Sequence, residues 1–206
     1  MNKYPVFCGF YIDVGVGDYV RLGKGFEKRC EELDIPHDIS TPQSLIDFMD
    51  VRKKSVNERN WICRFKPFFL LEMLDKWDRS VLYTDTDNHI NRKPPANIFD
   101  IEHVGIDRQY GGRGGTAYCN ASATTIYFNN TDLVRKFLTL WAKKCKTGSL
   151  NKSDHLYFKK TIVAFRLMGQ DAVQYFSHPF VSLRDEDDPY IRHYQLCDQQ
   201  NILNNK

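Results

Sequence analysis

A short apolar run, led by a helix and ended by two carboxylates, constrains this chain more than any other feature. Val81-Leu82-Tyr83-Thr84 is bounded by polar residues and reads as a short buried strand. Upstream, Pro67 opens a segment in which Phe69, Leu70, Met73, Leu74 and Trp77 recur at helical spacing. A helix that feeds an apolar strand points to an α/β sheet covered on both faces. Asp85 and Asp87 follow at the strand's carboxyl end, where open α/β sheets bind ligands. Two carboxylates one residue apart can hold a hard divalent cation against a phosphate-bearing substrate. The competing reading is a pair of solvated acids in a polar turn.

The rest of the chain repeats this alternation. Val6 to Ile12 reads as a first strand, and Asp18 as an N-cap for a helix across Tyr19 to Leu33. Ile35 to Ile39 is a second strand, and Thr41-Pro42 opens a helix carrying Leu45, Ile46, Phe48 and Met49. Arg52 to Asn60 is polar and basic, an exposed loop or helix end. Ile98 to Asp107 contains an expected edge strand over Glu102 to Ile106. Gly111-Gly112-Arg113-Gly114-Gly115 lacks the spacing and the following Lys-Ser/Thr of a phosphate-binding loop. Thr124 to Phe128 is a strand, and Asp132 to Lys146 an amphipathic helix stopped by Gly148. Asp154 to Leu167 is the last long helix; Val173 to Phe176 and Val181 to Leu183 are short strands. The expected fold is α/β, with a mixed, mainly parallel sheet flanked by helices.

Composition narrows the classes further. At 206 residues with 42% hydrophobic content, the chain suits one substantial core, expected over 1–198, with a frayed tail at 199–206. A net charge of +3 is too small to argue for nucleic acid by itself, though it tolerates anionic substrates. Neither a signal-peptide core nor an 18-residue apolar run is present, so a cytoplasmic protein without a membrane span is expected. The six cysteines are scattered without a C-x-x-C pair, which favours reduced core thiols over zinc.

Four local matches, in order, make the chain resemble nucleotide-diphospho-sugar transferases of the GT-A type. Asp13, Asp18 and Tyr19 follow the first strand. Arg64-Phe65-Lys66-Pro67 opens the helix before the acidic strand, and Val81 to Asp87 is an apolar strand ending in Asp-x-Asp. Pro189-Tyr190-Ile191-Arg192-His193-Tyr194-Gln195 looks like the family's C-terminal segment that supplies a histidine as third metal ligand. Two departures stand out: Asn120-Ala121-Ser122 replaces the family's Asn-Ser-Gly, and Ser153-Asp154-His155 stands where Asp-Gln or Glu-Asp is common.

The resemblance implies a metal-dependent transfer of a sugar from a nucleoside-diphosphate sugar, a UDP-sugar by preference, to a hydroxyl acceptor. That acceptor could be a glycan, a protein, a small molecule or a modified DNA base. Mn²⁺ or Mg²⁺ would sit on Asp87 and His193, with Asp85 on the metal through water or on the ribose. An oxygen-nitrogen ligand set suits Mn²⁺ better than Ca²⁺. Tyr11, Asp13, Tyr19, Arg64, Lys66 and Thr86 would line the donor. Asp154 would act as a base or charge stabiliser, and Asn120 would touch the sugar. The plainer readings are an N-cap for Asp154, a turn amide for Asn120, core packing for the tyrosines and a solvated helix start for Arg64 and Lys66. Two rival functions share the motif. One is a haloacid-dehalogenase-like phosphatase with Asp85 as nucleophile, Lys159 or Lys160 as the cation, and Asp187 and Asp188 on Mg²⁺. The other is a non-catalytic carbohydrate- or nucleic-acid-binding module using Arg52-Lys53-Lys54 and Lys143, Lys144 and Lys146.

Overall fold

The structure, a computed structural model, describes residues 4–12, 18–50, 58–108, 121–149, 152–176, 180–182 and 189–193. In chain order the strands are β1 (Val6–Phe10), β2 (His37–Ser40), β3 (Val81–Thr84), β4 (Asn88–Ile90), β5 (Val104–Arg108), β6 (Ala121–Phe128), β7 (Val173–Tyr175), β8 (Val181–Ser182) and β9 (Ile191–His193). The helices are α1 (Tyr19–Glu32), α2 (Gln43–Asp50), α3 (Glu58–Cys63), α4 (Lys66–Trp77), α5 (Asp132–Thr147) and α6 (Asp154–Leu167).

Six strands form the central sheet in the order β2-β1-β3-β6-β5-β7, and β4-β9-β8 form a small second sheet. The pairs β1–β2, β1–β3 and β5–β7 are parallel, and β6 runs antiparallel to both its neighbours. The expected mixed, mainly parallel α/β sheet is therefore present. The expected edge strand is shifted and is not at an edge: β5 lies between β6 and β7. Its burial explains the apolar Val104 and Ile106, which a solvent-facing edge would not require.

Strand alternation divides the core in two. Val81 and Tyr83 join Phe69, Met73, Phe137, Trp141 and Phe158 on the face covered by α4, α5 and α6. Leu82 joins Phe26 and Cys30 of α1 and Phe99, Phe180 and Ile191 on the other face. Each fully buried side chain of this size contributes about 1.5–3 kcal/mol of transfer free energy. Gly9 of β1 allows close approach at the sheet's functional end. A Cβ there would stand 2.8 Å from the Thr84 carbonyl oxygen and 3.2 Å from Thr86 Cγ2.

Three elements go beyond the sequence reading. A short helix, α3, fills the end of the stretch read as loop or helix end, and β4 and β9 are three-residue strands. Cys8, Cys30, Cys63 and Cys145 are free thiols, as reduced core cysteines require. Among the described residues, no helix is long and apolar enough to cross a membrane. The tail at 199–206 lies outside the described residues.

Candidate active site

The parallel run of β1 and β3 brings their carboxyl ends to one edge of the sheet. Asp85 follows β3 on the same face as Tyr83, two residues earlier. The Tyr83 hydroxyl donates to Asp85 Oδ1 at 2.7 Å. Burial first, then Asp85, pushes this phenol well above its ordinary pKa, so it stays a donor. The Asp85 amide donates to the Thr124 carbonyl at 2.8 Å, and the Asn88 amide donates back to the Asp85 carbonyl at 3.0 Å. Asp85-Thr86-Asp87-Asn88 is thus a closed turn. The Asn88 side chain secures it by donating to Thr84 Oγ1 at 2.7 Å and Thr125 Oγ1 at 3.0 Å.

Lys66 is the first residue of α4 and only 2% exposed. Its Nζ lies 3.0 Å from Asp85 Oδ1 and 3.2 Å from Asp154 Oδ2, and donates to the Ala123 carbonyl at 2.9 Å. Burial alone would lower its pKa, but Asp154 and then Asp85 outweigh that and raise it, so Lys66 remains an ammonium. One lysine from α4 therefore ties the acidic strand to the start of α6.

Asp154 is fully buried in the first turn of α6, while Ser153 occupies the N-cap position. The N-cap reading of Asp154 is set aside by this placement. Its Oδ2 is in ion-pair range of Lys66, yet neither carboxylate oxygen accepts a hydrogen bond among the described residues. An ionised carboxylate offers about four acceptor sites, and a buried one normally fills them. This carboxylate has capacity for a ligand hydroxyl.

Beside it, His155 Nδ1 accepts from the Ala123 amide at 3.3 Å. Burial lowers the His155 pKa against the opposing pull of Asp154, so the ring is neutral. With Nδ1 accepting, the proton sits on Nε2, which is then a donor. Neither His155 nor Tyr83 stood among the sequence-derived site residues. For His155 the signal was the departure at Ser153-Asp154-His155; for Tyr83, its spacing of two from Asp85 on one strand face.

Arg64 has a different position from the one expected. Its buried guanidinium donates to the carbonyls of Cys145 at 2.9 Å and Lys152 at 2.8 Å, and to Ser149. The Arg64 carbon Cζ also lies 5.1 Å from the Tyr157 ring centre. Arg64 fastens the α5–α6 connection, and its donors point at backbone rather than at the sheet edge.

The remaining candidates are distributed as follows. Asp87 is half-buried in the turn. Thr86 is buried toward Gly9, an inward position. Tyr11 follows β1 with its ring against Gly23 of α1, and Tyr19 is the first residue of α1. The backbone of His193 pairs with Asn88, next to Asp87, because β9 runs antiparallel to β4. Its imidazole lies outside what the structure describes, as do Asp13, Asn120, Arg52-Lys53-Lys54, Asp187 and Asp188. The lysine paired with Asp85 is Lys66, and the Lys160 ammonium lies 5.9 Å from the centre of the Tyr157 ring. Among the described residues, no group of three or more His, Cys, Asp or Glu side chains is preassembled for a metal.

No protein-family model matches the sequence, and no curated protein matches it. Solved structures do. A glycosyltransferase involved in the glycosylation of the major capsid of PBCV-1 has a TM-score of 0.67 at 10% identity, covering 99% of this chain and 100% of that one. The glycosyltransferase GlyE of Streptococcus pneumoniae TIGR4 is similar in its apo form, with a TM-score of 0.53 at 15% identity. That match covers 94% of this chain but 55% of GlyE, so the chain spans about half of GlyE. At such identities the likeness is one of fold, and the fold is that of these glycosyltransferases.

Proposed function

We propose that this protein transfers a sugar from a nucleoside-diphosphate sugar, a UDP-sugar by preference, to a hydroxyl acceptor, with a divalent cation. The observation that carries the reading is the buried Asp154 carboxylate, held by Lys66 against Asp85 at the carboxyl edge of the sheet yet short of hydrogen bonds. Such a group is suited to a hydroxyl, of the donor sugar or of the acceptor. The Asp-x-Asp turn supplies the anionic partner for a metal, and the fold is shared with enzymes that are glycosyltransferases.

A divalent ion of the Mn²⁺ or Mg²⁺ kind would be held by Asp87 directly, by Asp85 through water unless Asp85 binds the ribose instead, and by His193 from the segment paired with β4. Substrate oxygens complete the shell, which is why two or three protein ligands suffice. When bound, such an ion neutralises the charge that develops on the departing diphosphate.

The chain's own residues do the rest. Lys66 fixes Asp85 and Asp154 through its ion pairs with both, and Tyr83 orients Asp85 through its hydroxyl. Asp154 takes a proton from an acceptor hydroxyl, or stabilises positive charge at the anomeric carbon. His155 Nε2–H donates to a hydroxyl or leaving oxygen on the same side. Tyr11 and Tyr19 stand at the end of β1, where a base would lie. Glycans, proteins, small molecules and modified DNA bases all present the required acceptor hydroxyl.

The test is a panel of sugar nucleotides incubated with Mn²⁺, read by release of nucleoside diphosphate. Asp154→Asn should still bind donor but lose turnover by about 10²–10⁴-fold, the usual worth of general-base catalysis. Near-normal turnover in that variant would remove Asp154 from the chemistry, and free phosphate as the product would favour a phosphatase.

A further inference from the structure

Helix α6 is apolar on both sides, although only one side meets the core. Tyr157, Phe158, Ile162 and Phe165 face inward and are buried. Leu156, Lys160, Val163 and Leu167 recur at spacings of four, three and four, so they share the outer face. On that side Val163 is 47% exposed and Leu167 84%, and Met168, just past the helix, is 57% exposed. That outer face mixes exposed apolar side chains with the exposed Lys160. By contrast α1, of the same length on the other face of the sheet, exposes Arg21, Lys24, Lys28, Glu31 and Glu32.

Charge around α6 is equally one-sided. From residue 132 to 171 the chain has nine lysines and arginines and three acids: Asp132, Asp154, which is buried, and Asp171. Arg135 and Arg166 are paired with Asp75 and Asp171. Lys136, Lys143, Lys146, Lys152 and Lys160 are exposed. The chain as a whole carries only +3, so positive charge is concentrated on these two helices.

We infer that the outer face of α6, with the lysines of α5 and α6, seats this protein on an anionic lipid bilayer. The two observations select that partner together. Lipid headgroups attract the lysines, and the acyl boundary accepts Val163, Leu167 and Met168 while Lys160 extends to the headgroups. A nucleic acid would satisfy the cations but leave the apolar side chains without gain. A second copy packed face to face would cover those side chains but bring like charges together. The inference goes beyond the proposed sugar transfer and does not depend on it.

The experiment is co-sedimentation of the full chain with vesicles of phosphatidylcholine, with and without phosphatidylserine. Binding should require phosphatidylserine and weaken as salt rises. The double variant Leu167→Glu, Met168→Glu should bind about tenfold more weakly, since it loses the inserted apolar surface and adds negative charge. Its melting temperature should be unchanged, because both side chains are exposed. If that variant fails to fold, Lys160→Glu provides the same comparison through charge alone. Equal pelleting of variant and wild type, or no preference for phosphatidylserine, would overturn the inference. So would retention by duplex DNA without retention by vesicles, or a dimer in sedimentation velocity that the double variant abolishes.

Discussion

Arg64 and Lys66 stand two residues apart, at 0% and 2% exposure, yet their surroundings differ in kind. Arg64 gives its fork of donors to backbone carbonyls of the α5–α6 connection. Lys66 sets a single ammonium between Asp85 and Asp154. Carbonyl partners are neutral and fixed, so they make a clamp. Carboxylate partners keep charge and spare lone pairs, which the proposed sugar transfer would use. What a buried cation touches, rather than its burial, separates structure from site.

Removal of each cation tests that contrast. Arg64→Met should cost the most, about 5 kcal/mol, because several buried carbonyls lose charge-assisted hydrogen bonds. Urea unfolding would measure this, and the loss should be the same at pH 5 and pH 8, since carbonyls do not titrate. Arg64→Lys should recover little of it, because one ammonium cannot replace the guanidinium fork. A small, pH-sensitive loss would place Arg64 with Lys66 after all.

Lys66→Met should cost about 3 kcal/mol at neutral pH, the effect of breaking a buried ion pair. Asp85 and Asp154 would then face each other as like charges without the cation between them. The folded state would bind protons more readily, so the variant should regain stability as pH falls. A loss that is flat with pH for Arg64→Met and shrinks toward low pH for Lys66→Met is what separates the two cations. Identical profiles would break the comparison.

The smallest effect belongs to His155. Its pKa is lowered in the fold, first by burial, so the unfolded chain takes up the proton sooner. Stability should be full above about pH 6.5 and decline as pH falls below it. His155→Gln should remove part of that decline, about 1 kcal/mol or less, in melts between pH 7.5 and 5.5. Part should remain, because His89 is shifted in the same direction, again by burial first. A decline untouched by the substitution would mean that His155 is solvated.

The long-period features were legible in the sequence. The helices at Tyr19, Pro67, Asp132 and Asp154 carry enough turns for apolar spacing to declare itself, and the Val81–Thr84 strand is apolar throughout. β4 and β9 each hold one apolar residue, Ile90 and Ile191, and went unread, although their pairing sets the His193 backbone beside Asn88. The start Arg64-Phe65-Lys66-Pro67 reads as one basic motif. Its division into clamp and site depends on Cys145, Lys152 and Asp154, which are 80 to 90 positions away in the chain. Likewise, an exposed Leu167 is indistinguishable from a core leucine until the helix is seen to have an empty side.

In the proposed transfer, the Asp-x-Asp turn couples a divalent cation to a nucleoside diphosphate. Isothermal titration calorimetry with UDP tests it most directly, on the wild type with Mn²⁺, the wild type with chelator, and Asp87→Asn with Mn²⁺. Asn keeps the shape of the turn and removes the charge that balances the ion. The account predicts binding in the first case alone, with an unchanged melting temperature in the variant. Equal affinity with and without metal, or in Asp87→Asn, would contradict it.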